Sequence, residues 1–329
     1  MKNILVTGGA GYVGSILCTK LSESGYNVLI LDKLLYTDSG IRDLLGKKNV
    51  SLVEGDIRNK DLLKSLLKNI DHIIHLAAIA NDPSGELNPE LTREINFSIY
   101  EYFLEEARRS GVSTFINAST FGVYGKKDNI NITEEEPLYP LKEYSICKAN
   151  SEEIVKGYNS DDFATISLRC STICGWSPRM RFDLIVNTLT GYAIANRKLD
   201  VWGGEQKRPQ IHIDDITTYF VKILEMPKKK IGGKIYNAGG QNVTILDIAN
   251  TIKQALPFKI DIELFPPRDD ERSYHVSSGK IKDELGLEPE KTIKDAIIDI
   301  YDAYNRGLWK DPDDMLYHNI KRMKYLDFT

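Results

Sequence analysis

Short runs of Val, Ile and Leu punctuate the first half of the chain, at residues 3 to 7, 27 to 32, 50 to 54, 71 to 77, 113 to 119 and 163 to 169. The runs are short and rich in apolar residues, and each is bounded by Gly, Asp or Asn. That is the pattern of a strand buried on both faces, since a strand with one wet face alternates. Between the runs the apolar positions take a helical period: Ser15-Ile16-Leu17 with Leu21, Leu62-Leu63 with Leu66-Leu67, and Ile99 with Phe103-Leu104 and Ala107. Gly25 and Gly111 stop two of these segments. Strands alternating with helices predict parallel βαβ units, and so an α/β fold with a doubly wound parallel sheet.

This half is placed at residues 1–170. After Arg169 the alternation breaks into loop-rich sequence, with Gly175, Ser177-Pro178, Gly203-Gly204, Pro209, Pro227, Gly232-Gly233, Gly239-Gly240 and Pro266-Pro267 as punctuation. Residues 171–329 therefore read mainly as a smaller C-terminal substrate-binding cap, with the chain returning to the first half at about 212–237. Helical patterns resume at about 215–225, 244–255 and 292–305, with Asp214-Asp215 and Thr244 as N-terminal caps. Lys228-Lys229-Lys230 reads as a solvated loop. The charged and aromatic stretch from Lys310 reads as a tail packed on its own domain or on a partner.

Composition removes several function classes. A length of 329 residues suggests two domains, at roughly 150 residues each. With 42% hydrophobic and 27% charged residues, the chain is neither disordered nor membrane-embedded. Its 43 Lys and Arg against 47 Asp and Glu give a net charge of −4, without the broad basic field of a nucleic-acid reader. Met1-Lys2-Asn3-Ile4 runs straight into the first strand and leaves no room for a signal peptide, so a cytoplasmic protein is expected. Cys18, Cys147, Cys170 and Cys174 fit neither a disulfide framework nor metal knuckles, and read as free buried thiols with no metal site.

The chemistry starts at Thr7-Gly8-Gly9-Ala10-Gly11-Tyr12-Val13-Gly14, directly after the first strand. Gly8 permits a tight strand exit, Gly11 lets backbone amides approach a pyrophosphate, and Gly14 lets the following helix pack closely on the sheet. With Asp32 closing the second strand, this is a complete dinucleotide fingerprint on a Rossmann-type fold. Tyr12 and Val13 in the turn and Lys33 beside Asp32 join the cofactor-binding set. Asp32 can accept both ribose hydroxyls and would repel a 2′-phosphate, so the expected cofactor is NAD rather than NADP.

Tyr144-Ser145-Ile146-Cys147-Lys148 sets a phenol and an ammonium four residues apart on one helix face, 24 residues past Thr120 at the end of the fifth strand. A free tyrosine, with a pKa of about 10, is a poor base at neutral pH. Beside Lys148 and a cationic nicotinamide its phenolate is stabilised, and it can take or return the proton of a secondary alcohol while hydride moves at carbon. Thr120 would bond the same oxygen. A second match, Tyr317 with Lys321, lies in the tail and is assigned to packing.

Together these residues resemble the extended short-chain dehydrogenase/reductases, specifically the nucleotide-sugar epimerase/dehydratase family. The resemblance spans nearly the whole chain. It includes Asp56-Ile57, Leu76-Ala77-Ala78, Asn96, Val123-Tyr124-Gly125 and Arg208-Pro209-Gln210-Ile211-His212-Ile213-Asp214-Asp215. It implies that Asp56 and Ile57 hold the adenine and that Leu76, Ala77 and Ala78 line the ribose and diphosphate. It further implies that Asn96 and Ala118 belong to the cofactor site and that Lys148 also binds the nicotinamide ribose. The cap would hold the nucleotide diphosphate, with Arg208, Arg268, Arg179 and Arg181 as candidates for its phosphates or for structural ion pairs. A homodimer through helices at about 93–110 and 143–159 is also implied.

The departures from that family narrow the chemistry. Members that eliminate water, decarboxylate or epimerise C3 and C5 carry proton-handling side chains one or two residues after the catalytic threonine. Here those places hold Phe121 and Gly122, which handle no proton. Oxidation and reduction at sugar C4 remain, as a 4-epimerase or as a 4-dehydrogenase or 4-ketoreductase. The stretch Ser177 to Asp183 is similar to heptose C4 dehydrogenases of bacterial capsule pathways. Two other readings stay open: an NAD-sensing regulatory protein on the same fold, and a dehydrogenase of a non-sugar secondary alcohol.

Overall fold

The computed structural model describes residues 1–126, 131–267 and 275–328. Its strands, in chain order, are β1 (Asn3–Thr7), β2 (Asn27–Asp32), β3 (Val50–Glu54), β4 (His72–His75), β5 (Thr114–Thr120), β6 (Ala164–Cys170), β7 (Thr172–Cys174), β8 (Lys198–Trp202), β9 (Lys207–His212), β10 (Lys234–Ala238), β11 (Gln241–Thr244) and β12 (Asp261–Phe265). Seven of them form one parallel sheet in the order β10-β6-β5-β4-β1-β2-β3. Chain order reverses between β1 and β4, which opens a crevice beyond their C-terminal ends.

Both faces of this sheet are dry. On one, Ile4, Val6 and Ile30 pack against Leu17 and Leu21 of the helix Tyr12–Glu23 and Phe220 of the helix Ile213–Leu224. On the other, Leu5, Leu31 and Ile73 meet Phe103, Leu104 and Phe115. Successive side chains of β1 thus enter opposite cores, which is why its sequence is a continuous apolar run.

A further core has Met180, Phe182, Val186, Leu199, Ile248, Ile297 and Trp309 among its buried residues, together with Tyr12 and Ile213. A three-stranded sheet, β11-β9-β7, and a parallel pair, β12-β8, frame it with the helices Ile185–Asn196, Ile245–Ala255 and Ile293–Asn305. Between these pieces the chain goes back to the first half. Helix Ile213–Leu224 packs on helix Tyr12–Glu23, where Lys20 Nζ donates to Asp214 O at 2.7 Å and Thr218 Oγ1 at 2.9 Å, and β10 takes the sheet edge beside β6.

Some local expectations change. β4 stops at His75, because residues 76 to 78 leave the sheet to face the glycine turn. Asp214 and Asp215 do not cap their helix. His212 does, its Nδ1 accepting from Asp214 N at 3.1 Å, while the Asp215 carboxylate takes the amides of Glu290 and Lys291. Thr244 caps as expected, within a capping box closed by Asp247. Lys228–Ile231 is a helical turn after Pro227 rather than an irregular loop. The tail folds back on its own chain: Tyr317 O accepts from Phe182 N at 3.0 Å, and Met323 is fully buried in the core that holds Leu31 and Ile57. Among the described residues no helix is long and apolar enough to cross a membrane.

Candidate active site

The glycine turn is dictated by contact distances. Gly8 has φ +74°, and a Cβ there would stand 2.7 Å from the amide nitrogen of Ala77, so only glycine fits between β1 and the chain after β4. A Cβ on Gly14 would strike the carbonyl oxygen of Gly8. Helix Tyr12–Glu23 starts after Gly11 without any side-chain cap, and its first turn lines the crevice with amides suited to an anion. At the end of β2, the Asp32 carboxylate is aligned by the amides of Ala10 (3.0 Å) and Leu34 (2.8 Å). Burial pushes its pKa up, against the pull of those two amides. Lys33 Nζ lies 2.5 Å from Asp56 Oδ2. Burial works against ionisation of Asp56, yet bonds from Arg58 and Lys33 hold its carboxyl well below the usual range. The turn, the acceptor at Asp32 and the anion-ready helix start fit a dinucleotide.

Helix Glu143–Gly157 brings the second group to the same crevice. Lys148 is 2% exposed, and its Nζ donates to Ala118 O of β5 at 2.8 Å. Burial lowers its pKa to about 8. Burial also raises that of the Tyr144 phenol, as do the nearby Asp82 and Cys170, while Arg181 and a hydrogen bond with Thr120 oppose the rise. Thr120 Oγ1 also accepts the Gly122 amide at 3.1 Å. Arg181 and Thr120 thus favour the phenolate against burial.

Behind these residues runs a buried polar chain that the sequence reading missed. Arg169 on β6 grips Glu152 of the same helix, with Nη2 to Oε2 at 2.7 Å, and Glu152 also accepts from Ser119 Oγ. Arg169 Nη1 donates to Tyr124 OH at 2.8 Å, and Tyr124 donates to Asn237 Oδ1 at 2.7 Å. The network fastens helix Glu143–Gly157 to β5, β6 and β10, and so fixes where Tyr144 and Lys148 stand.

One cavity of about 1040 Å³ gathers the predicted set. Its wall includes Gly8, Gly11, Tyr12, Val13, Gly14, Asp32, Lys33, Asp56, Ile57, Leu76, Ala77, Ala78, Ala118, Thr120, Tyr144, Lys148, Arg179, Arg181 and Arg208. Asn96 stands one layer back. Fully buried, it clamps Ile79 through both N–H and C=O at 2.9 Å, so it shapes the loop rather than lining the cavity. Tyr12 lines the wall but spends its hydroxyl on Gly175 O (2.7 Å) and on Asn187, tying the turn to the cap. Arg179 lies toward the cofactor half: its guanidinium sits 4.1 Å from the Tyr36 ring centroid, close enough to Asp32 to feel its charge, and donates to Asn319 Oδ1 at 2.6 Å. Arg181 makes a two-pronged pair with Asp183, at 2.8 and 3.1 Å. Arg268 lies outside the described residues.

Asp82, Ser145, Tyr36, Trp202 and Asn319 line the same wall and were not anticipated. An acid shortly after Leu76-Ala77-Ala78 was a usable signal for Asp82. Asn319 had none, since only the folded tail brings it there. All four cysteines are buried and free. His212, Asp214 and Asp299 cluster as metal ligands do, but the Lys291 ammonium already lies 3.0 Å from Asp214 and 3.9 Å from Asp299.

A family model described as the NAD dependent epimerase/dehydratase family matches residues 4–239. A putative UDP-glucose 4-epimerase of Methanocaldococcus jannaschii is 29% identical, over 89% of this chain and 95% of its own. Among solved structures, a UDP-glucuronic acid 4-epimerase from Bacillus cereus, in complex with UDP-glucuronic acid and NAD, is 28% identical with a TM-score of 0.80, covering 93% of this chain and 100% of that one. A dTDP-glucose 4,6-dehydratase from Streptomyces venezuelae with NAD bound is 26% identical with a TM-score of 0.82, covering 94% and 99%.

Proposed function

The chain belongs to the NAD dependent epimerase/dehydratase family, and from that footing we propose that it oxidises C4 of a nucleotide-activated sugar, then either reduces it again from the opposite face or releases the 4-keto sugar. The observation that carries this reading is convergence: Thr120, Tyr144 and Lys148 share one cavity wall with the glycine turn and Asp32. NAD, when bound, supplies the hydride acceptor and donor and a positive charge beside the phenol.

Every other part of the step falls to this chain. The glycine turn and the start of helix Tyr12–Glu23 hold the diphosphate, and Asp32 accepts the adenosine ribose hydroxyls. Lys148, pinned by Ala118 O, presents its remaining protons to the nicotinamide ribose and adds positive charge to the site. Tyr144 takes the carbinol proton as carbon is oxidised and returns it on reduction, with the Thr120 hydroxyl bonded to the same oxygen. Phe121 and Gly122 offer no proton at the neighbouring positions, which favours chemistry confined to the carbinol over elimination of water.

In this reading residues 1–170, with the return at 212–237, carry the cofactor, and the remainder of 171–329 carries the nucleotide sugar. Trp202, stacked on Phe265 with centroids 4.6 Å apart, offers the base a flat face on the cavity wall, and Arg208 lines the same cavity for the phosphates. The expected setting is the cytosol and the expected assembly a homodimer.

The test is incubation with NAD and UDP-, dTDP-, GDP- and CDP-sugars, following nicotinamide absorbance and then sugar stereochemistry by NMR. Lasting reduced nicotinamide identifies a dehydrogenase, and an inverted C4 without it an epimerase. No change in either across the panel contradicts the proposal.

A further inference from the structure

One buried cation on the cavity wall forms no ion pair among the described residues. Arg179 is 3% exposed, and of its five N–H donors only Nη2 finds an acceptor, Asn319 Oδ1 at 2.6 Å. Its buried Nε meets none. The carboxylate closest in sequence, Asp183, is spent on both prongs of Arg181 and on the Asn319 amide. Tyr36 offers a ring face, 4.1 Å from the guanidinium carbon. Burial and the neighbouring Arg181 lower the pKa of Arg179 to about 10, so it is still charged at neutral pH. A buried charge left unpaired is costly, and on a cavity wall it marks the place of an anion.

Its backbone is anchored to the cofactor half. Ser177 Oγ donates to Tyr12 O at 2.7 Å and lies 2.8 Å from Ser15 Oγ, both in the first turn of the helix that follows the glycine turn. A Cβ on Gly40, in the loop after β2, would stand 2.7 Å from Arg179 Cβ. The tail reaches the same place. Its helix Asn319–Tyr325 packs on the turn Asp82–Gly85 after β4, while Arg322 Nε donates to Leu35 O at 2.9 Å in the loop after β2. Both loops line the cavity, and the tail spans them.

We infer that Arg179, aimed by Asn319 of the tail, binds the diphosphate of NAD and closes from the cap side the seat that the glycine turn opens. A guanidinium fork matches phosphate oxygens that the helix amides leave unfilled. Asn319 is a neutral acceptor, so it orients the fork without cancelling its charge. The inference does not depend on which sugar is turned over.

The experiment measures the affinity of the full-length, nucleotide-free protein for NAD and for ADP-ribose by titration calorimetry, together with its melting temperature in that state. Arg179→Met should weaken both ligands by at least about tenfold, the loss of a charge-assisted contact, while melting close to wild type, because the charge it removes has no ion-pair partner in the nucleotide-free protein. Asn319→Asp keeps the shape and hands the guanidinium a counter-ion. It should raise the nucleotide-free melting temperature and weaken NAD by at least about fivefold. If Arg179→Met does not fold, Asn319→Asp decides alone. NAD affinity within about threefold of wild type in any folded variant overturns the inference. So does a loss that falls on the nucleotide sugar and spares NAD, or an Arg179→Met protein that melts more than about 5 °C lower, the mark of a structural cation.

Discussion

Lys148 shows at the scale of one residue how function works against stability. Its ammonium is buried, and burial carries its pKa from 10.5 down to about 8. Below pH 8 the folded and unfolded chains are both protonated there, and the folded one bears a penalty of roughly 3 kcal/mol for the buried charge. Between pH 8 and 10.5 the unfolded chain binds the extra proton, so this group makes stability rise with pH across that window. Lys148→Met, which fills similar volume without charge, should therefore raise the melting temperature of the NAD-free protein at pH 7 by a few degrees while abolishing turnover. Calorimetric melting of both proteins at pH 7 and 9.5 checks this. The variant's advantage should shrink at the higher pH, and a variant less stable than wild type at pH 7 contradicts the argument. Lys148 and Tyr144 were legible in the sequence because their spacing is local. Asp82, Ser145 and the grip of Arg169 on Glu152 were not, because each contact joins elements far apart in the chain.

At the scale of elements, the strand, glycine turn and helix from Asn3 to Glu23 act as one unit. Alanine at 14 would suit the helix by about 1 kcal/mol of propensity, yet its Cβ would strike the Gly8 carbonyl and push the turn open. Gly14→Ala should therefore lower NAD affinity by at least about tenfold, well within the binding energy of a built diphosphate site, with much less change in melting temperature. Titration calorimetry with NAD reads the first and thermal unfolding the second; unchanged affinity would count against a diphosphate seat at this turn. The sheet was readable because strands buried on both faces leave continuous apolar runs, and helix caps such as Thr244 leave a short local signature. Cap elements were harder to read. Their core draws residues from Met180 to Trp309, and strands as short as β7 carry too few positions for a period. His212 took the capping place given to Asp214 and Asp215 because the helix starts at Ile213, which puts both acids inside its first turn, where the Asp215 carboxylate is held by the amides of Glu290 and Lys291.

Across the whole molecule, the last residues join the two halves over the cofactor crevice. Asn319 accepts from Arg179, and its amide donates to Asp183 at 3.1 Å. Arg322 donates to Leu35 O at 2.9 Å, in the loop after Asp32, and Met323 is buried in the cofactor-half core. Composition announced only that such a tail packs somewhere. Its seat depends on a return from the cap, past Tyr317, that no periodicity encodes. Deleting residues 319–329 removes the buried Met323 and these three hydrogen bonds, and should cost at least about 2 kcal/mol. The expected signs are a melting temperature several degrees lower and faster exchange of bound NAD, read by calorimetry and by competition with a fluorescent NAD analogue. Exchange at the wild-type rate would show that the tail does not secure the crevice.

The central claim is hydride transfer at a sugar carbinol with Tyr144 as its proton partner. Its most direct measurement follows deuterium from a nucleotide sugar labelled at C4, chosen as the panel member that turns over, through wild type and Tyr144→Phe in the presence of NAD. The account predicts that wild type delivers the label to the nicotinamide ring or returns it to C4 of the product, and that the variant still binds NAD but turns over at least about a hundredfold more slowly. Label lost to water, label left untouched at C4 while the sugar changes elsewhere, or a variant as fast as wild type would contradict it.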